Sequence, residues 1–119
     1  MNDFIRALYD TGKRDQDLSD LRACAEKNNV PIIREDAEAL LRMLVRLKRP
    51  KAILETGTAT GYSSIVMAKA SLTPPDIDTI EIDLDMAASA RQNIQRMGLQ
   101  DNIRVIVGDA AEVLPCLTK

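Results

Sequence analysis

The chain has 119 residues, a formal net charge of −2 and no histidine. This length suits a single domain with one hydrophobic core, and a net charge so close to zero gives no electrostatic reason to expect a nucleic-acid-binding protein. Without histidine, the chain cannot form a Ser-His-Asp or Cys-His catalytic site or a histidine-ligated metal site. Its chemistry must therefore use carboxylates, lysine, tyrosine or a bound cofactor.

The cysteines and the N-terminal sequence indicate the cellular compartment. Cys24 and Cys116 lie far apart and lack metal-ligand spacing. The first residues are too polar for a secretory signal, and no apolar run approaches the roughly 18 residues of a membrane span. We therefore expect reduced thiols in a cytoplasmic protein.

The region before the first predicted strand is expected to be largely helical. The apolar spacing in residues 1–29 predicts one or two short helices, with a break around residues 11–17. These residues offer too few apolar positions for a core of their own. We therefore expect residues 1–29 to be an N-terminal helical segment that packs on the main body or on a partner subunit.

An extended connector, residues 30–33, and an amphipathic helix that stops before Pro50 are predicted next. The apolar residues of this helix fall on or near one face: Ala37, Leu40, Leu41, Leu44, Val45 and Leu47. Basic residues line and follow another part of it: Arg42, Arg46, Lys48, Arg49 and Lys51. They are interpreted either as a solvated face that complements the helix C-terminal dipole or as a contact patch for RNA.

Three strand–helix units are predicted in the rest of the chain. The strands are Ala52–Thr56, Ile77–Ile82 and Ile103–Val107, and the helices are Tyr62–Ala70, Asp85–Met97 and a short tail that reaches Lys119. Strands that alternate with helices predict an α/β fold with a parallel sheet and right-handed crossovers. Gly98 is expected to cap the second of these helices.

The first strand has the apolar character of a central strand that is buried on both faces. In a doubly wound sheet the strand order would be 3-2-1, and a fourth strand would pair on the free side of strand one. The sequence provides no such strand. We therefore expect half of a longer protein, in which the open edge of strand one is a template for pairing with another chain.

The most informative segment is KAILETGTATGYSS, Lys51–Ser64. It predicts a strand that ends at Glu55, a tight loop from Gly57 to Gly61 and a helix after it, which directs backbone N–H groups into one crevice. Glu81 follows Gly61 by twenty residues, about the spacing at which a nucleoside-binding βαβ unit places its ribose-binding acid. The sequence therefore predicts a site for an adenosine-containing cofactor.

The charge of the loop discriminates between such cofactors. The glycines of Gly57-Thr-Ala-Thr-Gly61 do not follow the G-x-G-x-x-G spacing of dinucleotide sites. A carboxylate at Glu55 would repel a pyrophosphate but would attract an ammonium or sulfonium group. S-adenosylmethionine (SAM) is the adenosine cofactor that carries both cations.

Four segments together carry a family resemblance: VPII (Val30–Ile33), ILETGTATGYSS (Ile53–Ser64), IEID (Ile80–Asp83) and VIVGDA (Val105–Ala110). In combination they resemble the SAM-dependent O-methyltransferases of the catechol and caffeoyl-CoA type, in particular their small bacterial members, some of which modify tRNA wobble uridines. The resemblance implies a Rossmann-like methyltransferase fold truncated to three parallel strands with flanking helices. Residues 30–119 would then be the N-terminal, cofactor-binding half of a methyltransferase domain.

The resemblance also implies the contacts of the methionine part of SAM. Glu55, Gly57, Thr58 and Ala59 would lie along it, with Gly57 bare so that the cofactor can approach the backbone. Ser63 would hydrogen-bond the methionine carboxylate near the helix N-terminus. Gly61 would complete the loop that holds the cofactor.

For the adenosine part, the resemblance implies that Glu81 accepts both ribose hydroxyls and that Ile82 packs on the adenine. Asp109 and Ala110 would border the adenine amino edge, Asp109 as an acceptor and Ala110 through its backbone N–H. Ile33, in the connector, matches a position that closes over the cofactor.

Structural roles remain open for several of these residues. Glu55 could be a surface carboxylate at a strand end, although an acid that ends a buried strand is costly without a partner. Asp109 could cap the following helix, and Ile33 could belong to the core. Tyr62 is interpreted as a packing residue, and Asp83 and Asp85 as caps of the second crossover helix.

The resemblance further implies that residues for the metal and the methyl acceptor are missing from this sequence. In this family, a divalent metal and the methyl acceptor are held by residues after strands four and five, which the sequence does not contain. We therefore expect no catalytic residue and no metal ligand here, with Mg²⁺ needed only in a full-length protein that acts on a small hydroxyl acceptor (a catechol-like compound or a CoA ester) or on tRNA. The alternative is a non-catalytic nucleotide- or SAM-binding module that completes its sheet as a homo-oligomer through the open edge of strand one.

Overall fold

The structure, a computed structural model, describes residues 15–117. Its elements, in chain order, are α1 (Gln16–Lys27), α2 (Glu35–Lys48), β1 (Ala52–Thr56), α3 (Tyr62–Ala70), β2 (Asp76–Glu81), α4 (Leu84–Arg96), β3 (Ile103–Val107) and α5 (Ala110–Leu117). The predicted bounds of β1, α3 and β3 are confirmed residue for residue, whereas β2 and α4 each begin and end one residue earlier than predicted. Residues 1–14, with any helix predicted there, lie outside the described residues. The break predicted around residues 11–17 does not extend to Gln16 and Asp17, which are already in α1.

The three strands form one parallel sheet in the order β1-β2-β3, which confirms the predicted 3-2-1 arrangement. Ile53 pairs with Ile77, and Ile77 pairs with Ile103. All strands therefore end at the same edge of the sheet, just before the loops that follow β1 and β2. This edge is where open parallel sheets hold their ligands.

One face of the sheet is covered by helices and contains the hydrophobic core. Ile77 and Thr79 of β2 point to this face and are 1% and 0% exposed. They meet α3, in which Ile65 and Val66 are fully buried. The same buried cluster includes side chains of α1, α2, α4 and β3: Leu18, Leu21, Val45, Ala87, Ala90, Ile94, Ile103 and Val105. The helix α1 is thus packed on the same core as the sheet.

The expectation that β1 is buried on both faces is wrong. Ile53 and Glu55 are half-buried, but Ala52, Leu54 and Thr56 are exposed, and Leu54 is 52% exposed. The reason is that β1 is an edge strand of the described sheet and that the buried cluster lies on only one face of it. An unbroken apolar run does not distinguish one covered face from two.

The apolar residues of α2 also divide into two groups rather than sharing one face. Val45 is buried, and Leu41 packs against the core. Leu40, Leu44 and Leu47 are 52%, 51% and 65% exposed and recur at helical spacing. We call these three residues the α2 leucine stripe. The interpretation of Arg42 as part of a solvated basic face or an RNA-contact patch is wrong, because Arg42 is 4% exposed and is paired with Glu38.

The end of α4 confirms the predicted glycine cap. Gly98 has a φ of +72°, and its N–H donates to the carbonyl oxygen of Gln95 at 3.0 Å. The next N–H, that of Leu99, donates to the carbonyl oxygen of Ile94 at 3.0 Å. These two bonds form a Schellman motif, which satisfies the last carbonyls of the helix. Among the described helices, none combines the length and apolarity that crossing a membrane requires.

Candidate functional site at the carboxyl edge of the sheet

The loop between β1 and α3 has an unusual backbone. Gly57, Ala59 and Gly61 all have positive φ, at +85°, +47° and +86°. The Gly57 N–H donates to the carbonyl oxygen of Ile80 at 2.8 Å, and the Gly61 N–H donates to that of Thr58 at 2.9 Å. Ala59 is the costly member, because an L-residue with a Cβ loses roughly 1–2 kcal/mol in the left-handed region.

The two glycines of this loop have different surroundings. A Cβ added at Gly57 would have no atom within 4 Å, whereas one at Gly61 would lie 3.4 Å from the Cβ of Ala90 in α4. Gly61 therefore allows the start of α3 to pack closely against α4. Gly57 borders open space, so a side chain would fit there sterically, and a ligand could approach the loop. The reason for a glycine at this position is therefore its positive φ.

Glu55, the penultimate residue of β1, is a half-buried carboxylate with three hydrogen-bond donors. Its oxygens accept hydrogen bonds from the hydroxyls of Ser63, Ser64 and Thr79, the last at 2.7 Å. The Thr58 and Thr79 hydroxyls are also 2.7 Å apart. Since the single hydroxyl proton of Thr79 goes to Glu55, Thr58 must donate to Thr79. These donors compensate the cost of burying a carboxylate, so the interpretation of Glu55 as a free surface acid does not hold.

Glu81 holds the loop from the neighbouring strand. Its Oε1 accepts the N–H of Ala59 at 2.8 Å, and its Oε2 accepts the N–H of Asp83 at 3.0 Å. Glu55 pairs in register with Thr79, which lies two residues before Glu81. Cross-strand partners share a face, as do alternate residues of one strand. The two acids therefore lie on the same face, offset by roughly 7 Å along the strands.

The hydrogen bonds leave these acids with unequal spare capacity. An ionised carboxylate can accept about four hydrogen bonds. Glu81 accepts two from the described residues and retains room for two donors, which matches a pair of neighbouring ribose hydroxyls. Glu55 accepts three and retains room for one donor, such as an ammonium group. Both side chains are only half-buried, so a ligand can reach them.

The start of α3 is suited to an anion. Gly61 is its N-cap and makes no side-chain capping bond. The first N–H groups of a helix have no partner within the helix, and the helix dipole makes that end positive. A carboxylate can therefore bind there. Ser63, which was predicted to bind the methionine carboxylate, donates to Glu55 instead, so its hydroxyl would have to exchange partners to do so.

Three further residues were predicted to contact the cofactor: Thr58, Ile82 and Ile33. Thr58 is 1% exposed as a whole residue and its hydroxyl donates to Thr79, so Thr58 supports the loop from inside the protein. Ile82 is 69% exposed at the end of β2, where it is available for stacking. Ile33 packs against the core but is only partly buried, so part of its side chain remains accessible.

The loop after β3 contains the last two predicted contacts. Asp109 is exposed, and its Oδ1 accepts the N–H of Ala111 at 2.9 Å. Asp109 therefore caps α5, which was the alternative role. One carboxylate oxygen of Asp109 has no partner among the described residues. Ala110 is the half-buried first residue of α5.

Sequence reasoning missed the hydroxyl of Thr79, which lies between Glu55 and Thr58. The signal was available in the register: Thr79 is opposite Glu55 and two residues before Glu81. It also missed Ser64 as a donor to Glu55. The predicted cap at Asp83 is present, since its Oδ1 accepts the N–H groups of Asp85 and Met86. Asp85 lies in the first turn of the helix, and the N-cap is Asp83 alone.

Sequence reasoning also missed an ionic cluster next to the site, in which Tyr62 is more than a packing residue. We call Arg22, Glu38, Arg42 and Tyr62 the Arg22 cluster. The Tyr62 hydroxyl donates to Glu38, and burial together with this bond raises the pKa of Tyr62 to about 12. Burial also acts to raise the pKa of Glu38, but hydrogen bonds from Tyr62, Arg22 and Arg42 outweigh it and hold that pKa below its usual range.

Two cavities of the described part lie away from the two acids. One of about 880 Å³ is lined by the start of β2 and β3 and by α4, including Asp76, Arg91 and Asn102. The other, of about 630 Å³, lies between α1 and α4 and reaches Thr60 and Asp83. Neither is lined by Glu55 or Glu81. In the described residues, no group of three or more acidic or thiol side chains could hold a metal ion.

Comparison with known proteins gives a consistent result. Residues 10–119 match a family model described as O-methyltransferase. A catechol O-methyltransferase from Sus scrofa is 40% identical over 76 residues, which cover 64% of this chain and 41% of that protein. The chain thus spans less than half the length of this relative.

Solved structures agree in fold. An O-methyltransferase from Streptomyces achromogenes, in complex with SAM, has a TM-score of 0.77 and 31% identity, over 89% of this chain and 48% of that one. An O-methyltransferase from Bacillus cereus, in complex with SAH, has a TM-score of 0.78 and 29% identity, over 87% and 48% of the two chains.

Proposed function

The chain belongs to the O-methyltransferase family, and from this premise we propose that it binds SAM at the carboxyl ends of β1 and β2 as the cofactor-binding part of an O-methyltransferase. The observation that carries the proposal is the pair of half-buried carboxylates, Glu55 and Glu81, on one face of the sheet beside the glycine loop. The complexes of related O-methyltransferases with SAM and SAH support the choice of cofactor.

In the proposed complex, Glu81 accepts the two ribose hydroxyls with its spare capacity. Ile82 packs on the adenine, and Asp109 and Ala110 border the amino edge of the ring. The exposure of Ile82 and the unengaged carboxylate oxygen of Asp109 support these contacts. Capping α5 and accepting from the adenine amino group are compatible roles, because they use different oxygens of Asp109.

The methionine part would extend from Glu81 towards α3. Glu55 accepts from the ammonium group, and the loop Gly57-Thr58-Ala59 lines the path through the accessible Gly57 and Ala59, with Thr58 buried behind them. The methionine carboxylate lies at the N-terminus of α3, between Gly61 and Ser63. Ile33 closes over the cofactor from the connector. The uncapped N-terminus of α3 and the open space at Gly57 support this orientation.

The reaction proposed for the whole protein is transfer of the sulfonium methyl group to a hydroxyl oxygen. The acceptor is a catechol-like compound, a CoA ester or a tRNA hydroxyl, and Mg²⁺, when bound, would polarise the acceptor oxygen. The described residues offer no cluster that fits Mg²⁺, so we assign no step through the metal to them. Their contribution is to hold the methyl donor in place, which lowers the entropic cost of reaction.

Isothermal titration calorimetry of the 119-residue chain with SAM and with NAD tests the cofactor. We expect heat of binding with SAM and weaker or no binding of NAD, because Glu55 and Glu81 are beside the loop where NAD would place its pyrophosphate. No heat with SAM, or a preference for NAD, would contradict the proposal.

Methyl transfer to a catechol with Mg²⁺ tests whether this chain holds an acceptor and a metal. We expect no robust turnover by the 119-residue chain alone. Robust turnover would show that the chain contains acceptor and metal residues beyond those assigned above.

We also propose that the chain self-associates through the free edge of β1, with a second copy of this chain as the partner. β1 pairs only with β2 in the described sheet, and Leu54 of β1 is half-exposed. The α2 leucine stripe adds an exposed apolar surface. Charge supports a second copy, because an antiparallel pair of α2 helices with Leu40 beside Leu44 would bring the exposed Asp36 beside Lys48 of the second copy.

Sedimentation velocity over a range of concentrations tests this association. We expect dimers of the wild-type chain, and weaker dimers of the variants Leu54→Lys and Leu44→Lys, because a lysine on an edge strand or in an apolar contact opposes pairing. Leu72→Lys is the matched control, since Leu72 is fully exposed outside both surfaces. A clean monomer at high concentration would contradict the proposal.

A cytoplasmic location is proposed as well. Cys24 and Cys116 are both exposed, and neither is in a disulfide, which suits a reducing compartment. Thiol labelling of the protein before any reductant is added should modify both cysteines. Labelling of neither would contradict this location.

A further inference from the structure

Arg22, on α1, lies at the centre of the Arg22 cluster and joins two segments that are distant in sequence. Its Nη2 donates to the carbonyl oxygen of Ile33 at 2.7 Å and to Oε1 of Glu38 at 2.9 Å. Its Nε is 3.3 Å from the hydroxyl of Tyr62, and its guanidinium carbon lies 4.9 Å from the centre of the Tyr62 ring. The side chain is 13% exposed, so these contacts are largely shielded from water.

Glu38 compensates the charge of Arg22 and connects the cluster to α2. It also accepts two bonds from Arg42, at 3.1 Å from Nε and 2.7 Å from Nη2. Arg42 is 4% exposed, and its Nη1 is buried without a partner in the described part of the chain. Such a cluster is weak evidence for stability, because an apolar replacement of the same shape is often as stable. The two contacts by which Arg22 joins other segments, to the carbonyl oxygen of Ile33 and to Tyr62 of α3, therefore indicate its role better.

Those contacts reach two segments that would border the methionine end of the proposed SAM site. Ile33 is the last residue of the connector that would close over the cofactor. Tyr62 is the first residue of α3 and directly precedes Ser63, which is hydrogen-bonded to Glu55. Arg22 thus fixes the connector and the first turn of α3 relative to each other. Both segments would face the methionine part of SAM, and neither would face its adenosine part.

We propose that Arg22 is a positioning residue that sets the geometry of the amino-acid end of the SAM site. It acts through the Ile33 carbonyl and the Tyr62 side chain, and it does not touch the cofactor. This inference rests on the proposed function, since it assigns a role within that site. It predicts that the loss of Arg22 weakens the binding of ligands that contain the methionine carboxylate and ammonium, while ligands without them are unaffected.

The test compares two ligands by calorimetry on the full chain. SAM contains the whole methionine part, whereas 5′-methylthioadenosine retains the adenosine and the methylated sulfur but lacks the carboxylate and ammonium. For Arg22→Gln we expect the Kd of SAM to rise about tenfold. This rise corresponds to the loss of one hydrogen bond between the site and a charged group of the methionine part. The Kd of 5′-methylthioadenosine should stay unchanged. Arg22→Lys, which keeps the charge and one bond, should show a smaller rise for SAM.

Arg91→Gln is the matched control. Arg91 also donates from Nη2 to a backbone carbonyl oxygen, that of Val105 at 2.9 Å, but it does so from α4 to β3. This variant should bind both ligands as the wild-type chain does. If Arg22→Gln fails to fold by circular dichroism, Tyr62→Phe removes the hydroxyl from the same cluster and should show the same difference between the ligands.

Each result decides the question. Equal weakening of both ligands by Arg22→Gln would mean general loosening of the fold and would overturn the inference, as would unchanged binding of SAM. In either case the wild-type chain still binds SAM, and the proposed function stands. If the wild-type chain does not bind SAM, the proposed function fails and this inference fails with it.

Discussion

The Oε1 of Glu81 accepts the backbone N–H of Ala59 at 2.8 Å, across 22 residues of sequence. This one bond joins the end of β2 to the loop after β1 and helps to hold Ala59 at its positive φ. A charge-assisted bond of this kind is roughly twice as strong as a neutral one. The acid that would bind the ribose therefore also organises the loop that would line the methionine part.

Glu81→Gln should weaken SAM binding without unfolding the chain. The amide keeps one acceptor oxygen for Ala59 but loses the charge and the second acceptor. We expect the Kd of SAM to rise about 10- to 100-fold, since hydrogen bonds to charged groups contribute roughly 1.5–3 kcal/mol each. Calorimetry measures the change, and Glu35→Gln, at an exposed position in the first turn of α2, is the control. Equal SAM affinities of Glu81→Gln and the wild-type chain would show that Glu81 does not bind the ribose.

Gly57→Ala and Gly98→Ala form a matched pair that separates strain from ligand contact. Both glycines have positive φ, and a Cβ at either would meet no atom within 4 Å. Each variant should therefore lose about 1–2 kcal/mol of unfolding free energy from the backbone alone. Only Gly57→Ala should also lose SAM affinity, because its new methyl group would stand where the cofactor approaches the loop. Urea unfolding and calorimetry on both variants measure the two effects, and equal SAM affinities would contradict the contact at Gly57.

Thr79→Val tests the hydroxyl chain behind Glu55. Valine has nearly the shape of threonine, but it leaves Glu55 with one donor fewer and leaves the buried Thr58 hydroxyl without its acceptor. We expect a loss of about 1–3 kcal/mol in unfolding free energy, the cost of an unsatisfied buried polar group. Thr73→Val, at an exposed position, should be close to neutral in the same urea titration. If Thr79→Val is neutral as well, Glu55 does not depend on this donor.

Much of the fold could be predicted because its signals are local. The strand β1 and the helix α3 have their predicted bounds, since an apolar run, two glycines and a helix-forming segment follow one another without interruption. The cap at Gly98 was predicted for the same reason, because a Schellman motif is formed by neighbouring residues. The exposure of Leu54 was not predictable, since it depends on which elements cover the sheet rather than on the strand itself.

The site could be predicted only in part. Glu55 and Glu81 stand out because acids end two apolar strands at a recognisable spacing. The donors to Glu55 depend on strand register and on the rotation of α3, which the spacing does not define. The Arg22 cluster could not be predicted from the sequence for a related reason. Arg22 and Tyr62 are 40 residues apart, and an arginine or glutamate in an amphipathic helix ordinarily belongs to the solvated face.

The Tyr62 hydroxyl should make the stability of the chain fall at alkaline pH. Burial and the bond to Glu38 raise the pKa of Tyr62 from 10.0 to about 12. As the pH rises through this interval, the unfolded chain loses the tyrosine proton before the folded chain does. The unfolding free energy therefore decreases. The contribution is fully present below about pH 10 and is lost by about pH 12, and a shift of this size corresponds to roughly 2–3 kcal/mol.

Two measurements check this pH dependence. Urea unfolding from about pH 9 to about pH 11 should show a steeper loss of stability for the wild-type chain than for Tyr62→Phe, because lysine titration is common to both. The chain has two tyrosines, so in a Tyr9→Phe background the phenolate absorbance follows Tyr62 alone. We expect its midpoint near pH 12 in the folded protein and near pH 10 in urea. A midpoint near pH 10 in the folded protein would mean that the Tyr62 hydroxyl is not held by Glu38 in solution, and Tyr62 could not then transmit the position of Arg22 to α3.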